Sequence, residues 1–304
     1  MKKAWKILLG LFVLTVAVIV SGIAVLKSTD FNKYKGLIAE KVKAATGRDL
    51  TITGDLSLTI SLNPSLSVEG VSFANAPWGS RPEMIGLKRL EAEVALPPLL
   101  SGDVRVGRLV LIGVDALLET DAKGRGNWEF GKGATGSKKS GGLLPVVRKV
   151  RIEDVNLTYL DGQTGEKTKL RIKSLDAEAA GKDSPLVLSL IGDLNGQSLR
   201  LSGRGGSIAG LLGGGAPWPV SLALSGLGVK AAIEGSLAKP RQGKGLDLKV
   251  SASADNLQSL GDALGVKIPP LPPLDFSARL TDPAGGYVLD DLSFKAGESS
   301  LAGR

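Results

Sequence analysis

Residues 50–62 read LTITGDLSLTISL, in which apolar and polar side chains alternate with a period of two. The leucines and isoleucines all occupy even-numbered positions, and threonine, aspartate and serine lie between them. Because successive side chains of a β-strand point to opposite faces of a sheet, this alternation predicts a strand with one apolar face. The same period returns along most of the chain, so we expect a mainly β protein.

The alternation shifts by one residue at Glu69-Gly70 and resumes at Val71. An inserted residue next to a glycine predicts a β-bulge. The sequence VEGVSF at residues 68–73 resembles IEDVNL at 152–157 and LDDLSF at 289–294. Repeated hairpins that carry the same acidic, bulge-like step predict a sheet that keeps growing and curving in one sense.

Hairpins and two helices organise the rest of the chain. LEAE at residues 90–93 is repeated as LDAE at 175–178, and GDLNG at 192–196 separates two strand patterns at hairpin spacing. This close spacing predicts an antiparallel meander. Apolar residues at steps of three and four predict helices at residues 30–45 and 255–264, each ended by a glycine soon afterwards.

The N-terminus predicts a membrane anchor. Residues 7–26 contain no charged side chain, and as a helix this run would span about 30 Å, the thickness of a bilayer core. Lys2, Lys3 and Lys6 precede it, which places the N-terminus in the cytoplasm and the rest of the chain across the membrane. A signal peptide cleaved after the small residues of 22–24 is the alternative, but the apolar run is longer than a usual signal core.

Composition excludes several classes of function. The 304 residues include no Cys and no His, which excludes thiol nucleophiles, disulfides, Cys/His metal sites and imidazole chemistry. The net charge is +8, and lysines before residue 30 supply half of it, so the remainder has no nucleic-acid footprint. No paired carboxylates stand out. We therefore expect no enzyme, no catalytic residue, no metal, no cofactor and no nucleic-acid partner.

Residues 131–142 read GKGATGSKKSGG and contain no apolar side chain larger than alanine. This composition predicts a flexible loop or linker. The spacing Gly131-x-Gly133-x-x-Gly136 matches a dinucleotide fingerprint, but that motif needs a strand before it and a helix after it. No helix is predicted after Gly136, so we interpret this segment as a loop and not as a dinucleotide-binding motif.

The apolar face of the strands has to be covered, and little helix is available after residue 45 to cover it. The sheet can fold on itself as a sandwich, close into a barrel or leave an apolar groove. A groove requires a ligand with a long apolar surface and a polar end, which describes a lipid. Aromatic residues make up 4% of the chain, which favours the groove modestly over a dense sandwich core. The strands are too short or too interrupted for an outer-membrane barrel.

A set of motifs resembles the AsmA-like family of Gram-negative envelope proteins, which includes the TamB-type members. The resemblance is dense over residues 1–130, looser over 143–252, and returns at 255–273. After the N-terminal anchor, the matching motifs are TGRDL (46–50) with Ile52 and Gly54, PSL (64–66), VSFANAPWG (71–79), PEM (82–84), LLSG (99–102), LETD (118–121) and GNWEF (126–130).

The resemblance implies an inner-membrane anchor, a periplasmic body and a long β-groove that carries phospholipid toward the outer membrane. We therefore expect an N-terminal transmembrane helix followed by an elongated, curved antiparallel β-sheet groove with one or two short helices. Family members are usually longer, so we also expect a chain truncated at its C-terminus. The expected divisions are 1–29 (cytoplasmic tip and anchor), 30–130 (helix and first groove region), 131–142 (flexible loop) and 143–304 (continued groove).

Phospholipid and the inner membrane are the expected partners, together with assembly proteins of the outer membrane or periplasm. The motif residues Asn75, Pro77, Trp78, Asn127 and Trp128 are expected to fix loops rather than bind ligand, because turn formers stand among them. The candidate lipid-contacting residues share the apolar phase of their strands, and each is individually explained as well by core packing. They are Leu56, Leu58, Ile60, Leu66, Val68, Leu90, Val94, Leu109, Leu111, Ile152, Leu157, Leu188 and Leu201.

Two other functions remain open from the residues. A non-catalytic assembly factor for outer-membrane proteins would have a closed β-sandwich core and would bind its partners through a free strand edge. An enzyme acting on envelope polymers would depend on one Asp or Glu whose removal abolishes activity without loss of the fold.

Overall fold

The computed structural model describes residues 29–59, 61, 63–94, 106–130, 147–181, 183–213, 215–283 and 286–303. The predicted anchor at residues 7–26 and the predicted loop at 131–142 lie outside these ranges. Within the ranges, no helix is both long enough and apolar enough to cross a membrane. The strands of the described chain all belong to one sheet.

The sheet has 15 strands, and nearly all of them pair with their neighbours in sequence. Three α-helices accompany it in the described residues: α1 (Lys35–Thr46), α2 (Ile208–Gly213) and α3 (Gln258–Leu264). The strands are β1 (Leu50–Ile52), β2 (Leu56–Thr59), β3 (Ser65–Ala74), β4 (Glu83–Val94), β5 (Val106–Glu119), β6 (Lys149–Leu160), β7 (Lys167–Glu178), β8 (Pro185–Leu194), β9 (Gln197–Ser207), β10 (Trp218–Gly226), β11 (Val229–Lys239), β12 (Lys244–Ala254), β13 (Leu274–Thr281), β14 (Val288–Ala296) and β15 (Ser299–Gly303).

Both predicted helices are confirmed. A 3₁₀ turn begins the first one, and there the Asp30 carboxylate accepts a hydrogen bond from the N–H of Asn32 (2.9 Å). Gly47 ends α1 at φ +72°, a conformation that glycine adopts without steric cost. Gly265 ends α3 in the same way, at φ +69°. The short helix α2 is not predicted, because six residues are too few to show a helical period.

The single strand predicted over residues 50–62 is instead two short strands. β1 and β2 both pair with β3, on either side of an irregular step at residues 53–55. In this step the N–H of Gly54 donates to the carbonyl of Glu69 (3.1 Å). The two backbones lie so close that a Cβ on Gly54 would come within 2.8 Å of Glu69. The close approach breaks the strand, although the apolar period continues through it.

The irregular step predicted at Glu69-Gly70 is present as a left-handed residue, and it recurs at the same position of each repeat. It is not a bulge with an inserted residue on the β4 side, because the register of β3 with β4 is unbroken across Gly70. Gly70 has φ +59°, and the corresponding Asp154 and Asp291 both have φ +53°. A further copy on β5 places Gly113 at φ +68°. A left-handed residue shifts the phase of a strand by one position, so apolar residues on both sides of it remain on the same face.

Three of these left-handed residues lie on one line across the sheet. By register, Gly70 of β3 stands opposite Lys88, which stands opposite Gly113 of β5. Gly113 in turn neighbours Asp154 of β6, and Asp154 lies opposite Lys173 of β7. Five adjacent strands therefore change phase together, and the apolar face is kept on both sides of the line.

The prediction of an antiparallel sheet is wrong for one pair, because β5 and β6 run parallel. Parallel neighbours need a crossover of a dozen or more residues, and the chain between Glu119 and Lys149 is long enough to provide one. The sequence indicates a linker there but not the direction of the strand that follows. Because β6 is parallel to β5, it runs in the same direction as β3, and the repeats at 68–73 and 152–157 have the same orientation in the sheet. Their equivalent residues also have equivalent partners: Val68 pairs with Leu90, and Ile152 pairs with Leu175.

The sheet is open and curved. In its order, β1 with β2 forms one edge and β15 forms the other. Extensive strand contacts within the described residues are all between neighbours in the sheet, so these residues form neither the closed sandwich nor a barrel. At about 4.8 Å per strand the sheet extends about 60 Å across its strands.

Candidate functional site, the apolar face of the sheet

One apolar row crosses the sheet from its first edge to its last. Each member lies directly opposite the next in the register of paired strands, and all of them are aliphatic or aromatic. The row is Leu56, Val68, Leu90, Leu111, Ile152, Leu175, Leu190, Leu201, Leu224, Ala231, Ala252, Phe276, Phe294 and Leu301.

Two further rows run beside it on the same face. We call the three rows together the floor. The second row is Leu58, Leu66, Ala92, Leu109, Val150, Ala177, Leu188, Gly203, Leu222, Ile233, Val250 and Ala278. The third row, beyond the left-handed line, is Leu50, Phe73, Ile85, Ala116, Leu157, Leu170 and Leu194.

Most floor side chains are half-buried rather than buried. Leu66 is 40% exposed and Leu301 is 60% exposed. Leu56 is one of the few floor residues that are less than one tenth exposed. No second sheet covers the floor within the described residues, so its side chains shield mainly one another, as on the inner side of a curve. A continuous apolar strip without a covering layer in the described residues is the candidate binding surface of this chain.

The opposite face carries charged pairs. The guanidinium of Arg279 donates two hydrogen bonds, of 2.7 and 3.0 Å, to the carboxylate of Asp247, and these bonds lower the pKa of the Asp247 carboxyl. Lys149 pairs with Glu178 at 2.8 Å. These side chains alternate along their strands with floor residues and so point away from the floor. The sheet is thus apolar on one face and water-compatible on the other.

A buried polar cluster, which we call the polar latch, joins two loops at the end of β3 and β5. Asn127 is 0% exposed. Its amide nitrogen donates to the side-chain oxygen of Asn75 (2.9 Å) and to the carbonyl of Leu117 (2.9 Å). Its side-chain oxygen accepts from the N–H of Glu119 (3.1 Å). These three hydrogen bonds tie the Asn127 side chain to the end of β5 and to the loop that follows β3.

Glu119 completes the polar latch. It is 3% exposed, and its Oε1 accepts from the amide nitrogen of Asn75 (2.6 Å) and from the N–H of Ser80 (2.9 Å). A side chain at Gly79 would come within 2.3 Å of Asn75, so the loop fits only with glycine there. Asn75, Glu119 and Asn127 thereby hold the 74–82 and 119–130 loops together over the strand ends.

The family follows from comparison with known proteins. The AsmA family model matches residues 1–156, which is half of the chain. This chain belongs to the AsmA family. The matched segment contains the first floor strands, the left-handed line and the whole polar latch. Membership of the AsmA family indicates a function connected with the cell envelope.

One similar protein extends the comparison along the chain. The AsmA family protein YhjG of Escherichia coli (strain K12) is 25% identical over 342 aligned positions, which cover 100% of this chain and 49% of that protein. The chain therefore spans about half the length of this curated relative. The two AsmA family proteins are similar through the second half of the sheet as well as the first.

The structure brings most candidate residues of this AsmA family chain onto one face. Their role as lipid contacts stays a prediction. Ile60 lies outside the described residues, as does the side chain of Val94. The first row contains Leu56, Val68, Leu90, Leu111, Ile152 and Leu201, the second Leu58, Leu66, Leu109 and Leu188, and the third Leu157.

The motif residues gather around the polar latch. Pro77 is exposed in a turn closed by the Gly79 N–H and the Ala76 carbonyl (2.8 Å). The Trp78 ring lies 5.8 Å from the guanidinium of Arg125. Trp128 is 39% exposed, and its ring lies 6.3 Å from that of Tyr159. These contacts hold the loops, and they leave aromatic surface at this end of the sheet.

Sequence reasoning missed three residues of this end. Glu119 lies inside the LETD motif, but nothing in its neighbours marks it as buried. Arg48 and Phe130 also belong to motifs, and they stack with the guanidinium carbon 5.0 Å from the ring centroid. The ring of Phe130 meets that of Phe73, a floor residue, edge-on at 5.9 Å. The chain has few aromatic residues, so the recurrence of Phe and Trp within residues 73–130 could have indicated that these segments lie together.

Proposed function

We propose that this chain is the N-terminal part of an inner-membrane-anchored periplasmic protein that conducts phospholipid to the outer membrane and so serves its biogenesis. Acyl chains slide along the floor while head groups remain in water at its margin. The process is passive, and no residue acts as a catalyst. The driving term is the removal of acyl surface from water, about 25 cal/mol for each Å².

The in-register first row carries this proposal. It gives one continuous apolar path across the sheet, half-exposed and without a covering layer in the described chain. A globular core does not require each strand to place an apolar residue on the same transverse line. A sliding acyl chain does require it, because one polar side chain on the path would interrupt its contact with the floor.

The N-terminal sequence supports the membrane part of the proposal. The uncharged run at residues 7–26, with Lys2, Lys3 and Lys6 before it, has the length and flank of a single-pass anchor with a cytoplasmic N-terminus. Residue 29 follows the run by three positions, so the helix α1, which leads directly into β1, would begin next to the periplasmic surface of the inner membrane. That position gives lipid of the inner membrane direct access to the first strands.

The test is site-specific photo-cross-linking of the full chain in a Gram-negative cell. A photoreactive amino acid replaces Leu188 on the floor in one strain and its neighbour Ser189 on the opposite face in another. We expect phospholipid adducts, identified by mass spectrometry, from position 188 and none from position 189. Equal adducts from the two positions, or protein adducts alone from position 188, would refute lipid conduction.

A further inference from the structure

Arg48 stands at the first edge of the floor. It follows the glycine that ends α1, and one residue, Asp49, separates it from β1. Its guanidinium packs over the ring of Phe130, which in turn touches Phe73 of the floor. One guanidinium nitrogen contacts the sulfur of the buried Met84 at 3.4 Å. The cation is therefore fixed in place where the apolar face begins.

The hydrogen-bonding capacity of this guanidinium is almost unused. A guanidinium has five N–H donors, and the sulfur of Met84 is a weak acceptor. No carboxylate pairs with Arg48 within the described residues, whereas Arg81, Arg89 and Arg279 each have one. The other described arginines without such a partner are exposed: Arg148, Arg171, Arg200, Arg204 and Arg241. Arg48 alone of these is half-buried, and burial lowers its pKa.

The neighbouring carboxylates are occupied elsewhere. Asp49, the next residue, pairs with Lys43 at 2.7 Å. Glu129, beside Phe130, accepts from the N–H of Gly126 at 3.0 Å. The site thus keeps a positioned, partly dehydrated cation without a protein anion, next to an apolar surface. An anion attached to an apolar chain complements both features.

We propose that Arg48 binds the phosphate group of a phospholipid whose acyl chains lie on the adjoining floor residues. The planar guanidinium suits two oxygens of a phosphodiester, and its contact with the Phe130 ring keeps it beside the floor. Arg48 thereby selects phospholipid at the edge of the sheet nearest the N-terminus. This inference rests on the proposed lipid function and specifies its head-group site.

Two lipids that share their acyl chains provide the test. Dioleoylphosphatidylglycerol has the phosphodiester, and dioleoylglycerol lacks it. The full chain in a mild non-ionic detergent is titrated with each lipid, and bound lipid is counted by native mass spectrometry. We expect the wild-type chain to bind the phosphate-bearing lipid about tenfold more tightly, the usual contribution of a charge-assisted hydrogen bond.

Three variants locate the preference. Arg48→Gln should bind both lipids equally, because it keeps the floor and loses the cation. Arg48→Met is a second neutral variant that retains the packing of the side-chain stem on Phe130, in case the glutamine variant folds poorly. Arg200→Gln makes the same charge change on the opposite face and should keep the tenfold preference. Circular dichroism establishes that each variant is folded.

The outcomes separate this inference from the function on which it rests. If both Arg48 variants are folded and keep the preference, the phosphate site is refuted and the lipid floor stands. If the wild-type chain binds neither lipid, the lipid function itself is refuted together with the site. If millimolar inorganic phosphate removes the preference of the wild-type chain, the ligand of Arg48 is the free ion and not the head group.

Discussion

The strands β1 to β7 and the strands β8 to β15 share one floor but are built differently. The first region buries large or polar side chains outside the floor, such as Met84 at 4% exposure and Asn127 at 0%. The second region is a plain meander whose buried apolar residues include Ala254 and Ala278. On its part of the floor, Gly203 of the second row has no side chain, whereas the second row of the first region contains leucine, valine and alanine.

The difference shows that extending the floor and ending the strands of a sheet require different kinds of contact. The meander needs few specific contacts, because each strand only has to match the register and phase of the strand before it. The first region also has to terminate strands, reverse the chain and join a parallel pair, and for this it uses buried hydrogen bonds. The family match over residues 1–156 coincides with this more specific region.

The largest effect is expected at the polar latch. Asn127→Ala removes three hydrogen bonds and leaves the Leu117 carbonyl and the Glu119 N–H buried without a partner. We expect the free energy of unfolding of the first region to fall by about 3 kcal/mol. Urea unfolding followed by tryptophan fluorescence measures it, and hydrogen exchange should show lost protection in residues 74–82 and 119–130.

An asparagine of the second region is the matched control. Asn195 occupies a turn at φ +48°, and its amide donates to the Ala263 carbonyl (2.8 Å). Asn195→Gly keeps this backbone conformation available and removes the hydrogen bonds of the side chain. We therefore expect the free energy of unfolding to fall by about 1 kcal/mol. If Asn127→Ala costs no more than Asn195→Gly, the polar latch does not distinguish the two regions.

A charge on the floor is expected to have a smaller effect on stability and the same effect in both regions. Leu111→Glu and Leu224→Glu alter two half-buried members of the first row. Because each carboxylate can remain hydrated, we expect both variants to fold. The lost burial of the leucine should lower the free energy of unfolding by about 1–2 kcal/mol. The phospholipid that copurifies with the chain, measured by mass spectrometry, should decrease with either variant.

Ser225→Glu, next to Leu224 on the opposite face, should leave the copurifying lipid unchanged. Global unfolding by Leu111→Glu and Leu224→Glu would instead mean that the floor is a closed core, since an unpaired buried charge is strongly destabilising.

The left-handed positions are expected to respond equally in the two regions. Asp154 and Asp291 have the same φ of +53°, one in each region. The left-handed conformation costs an L-residue about 1–2 kcal/mol, least for glycine, so Asp→Gly should stabilise slightly and Asp→Val should destabilise by about that amount. Thermal unfolding of the four variants measures this. Unequal effects at 154 and 291 would show that contacts, not backbone strain, set the cost.

The sequence predicts the features that repeat. The alternation of 50–62 and the acidic steps at 68–73, 152–157 and 289–294 give the apolar phase, and Gly70, Asp154 and Asp291 are left-handed where the pattern skips a residue. Both helices that end at Gly47 and Gly265 are also predicted. Each of these features is local, so a short window of residues contains its cause.

Features that depend on distant partners are not predicted. The parallel pairing of β5 and β6 is decided by where the crossover leads, and the break at Gly54 is decided by the backbone of Glu69. The burial of Glu119 depends on Asn75, 44 positions away in sequence. No local period contains that information, and for the same reason Arg48 and Phe130 are seen to be neighbours only in the structure.

The smallest effect is expected from two partly buried aspartates that hold loops, one in each region. The carboxylate of Asp282 accepts hydrogen bonds from the N–H groups of Leu246 and Gly245, and these bonds lower its pKa, the bond from Leu246 most of all. Asp121 accepts in the same way from the N–H groups of Arg125 and Lys123, and the bond from Arg125 lowers its pKa most.

A lowered pKa in the folded state means that each aspartate stabilises the protein above its usual pKa of about 3.9. That contribution is lost as the pH falls through the lower, folded-state value. Asp282→Ala and Asp121→Ala should therefore reduce the urea midpoint at about pH 6, and the difference from the wild-type chain should disappear by about pH 2. If a difference keeps its size in acid, packing and not the carboxylate charge holds that loop. Convergence for Asp121 and persistence for Asp282 would then extend the contrast between the two regions to their loops.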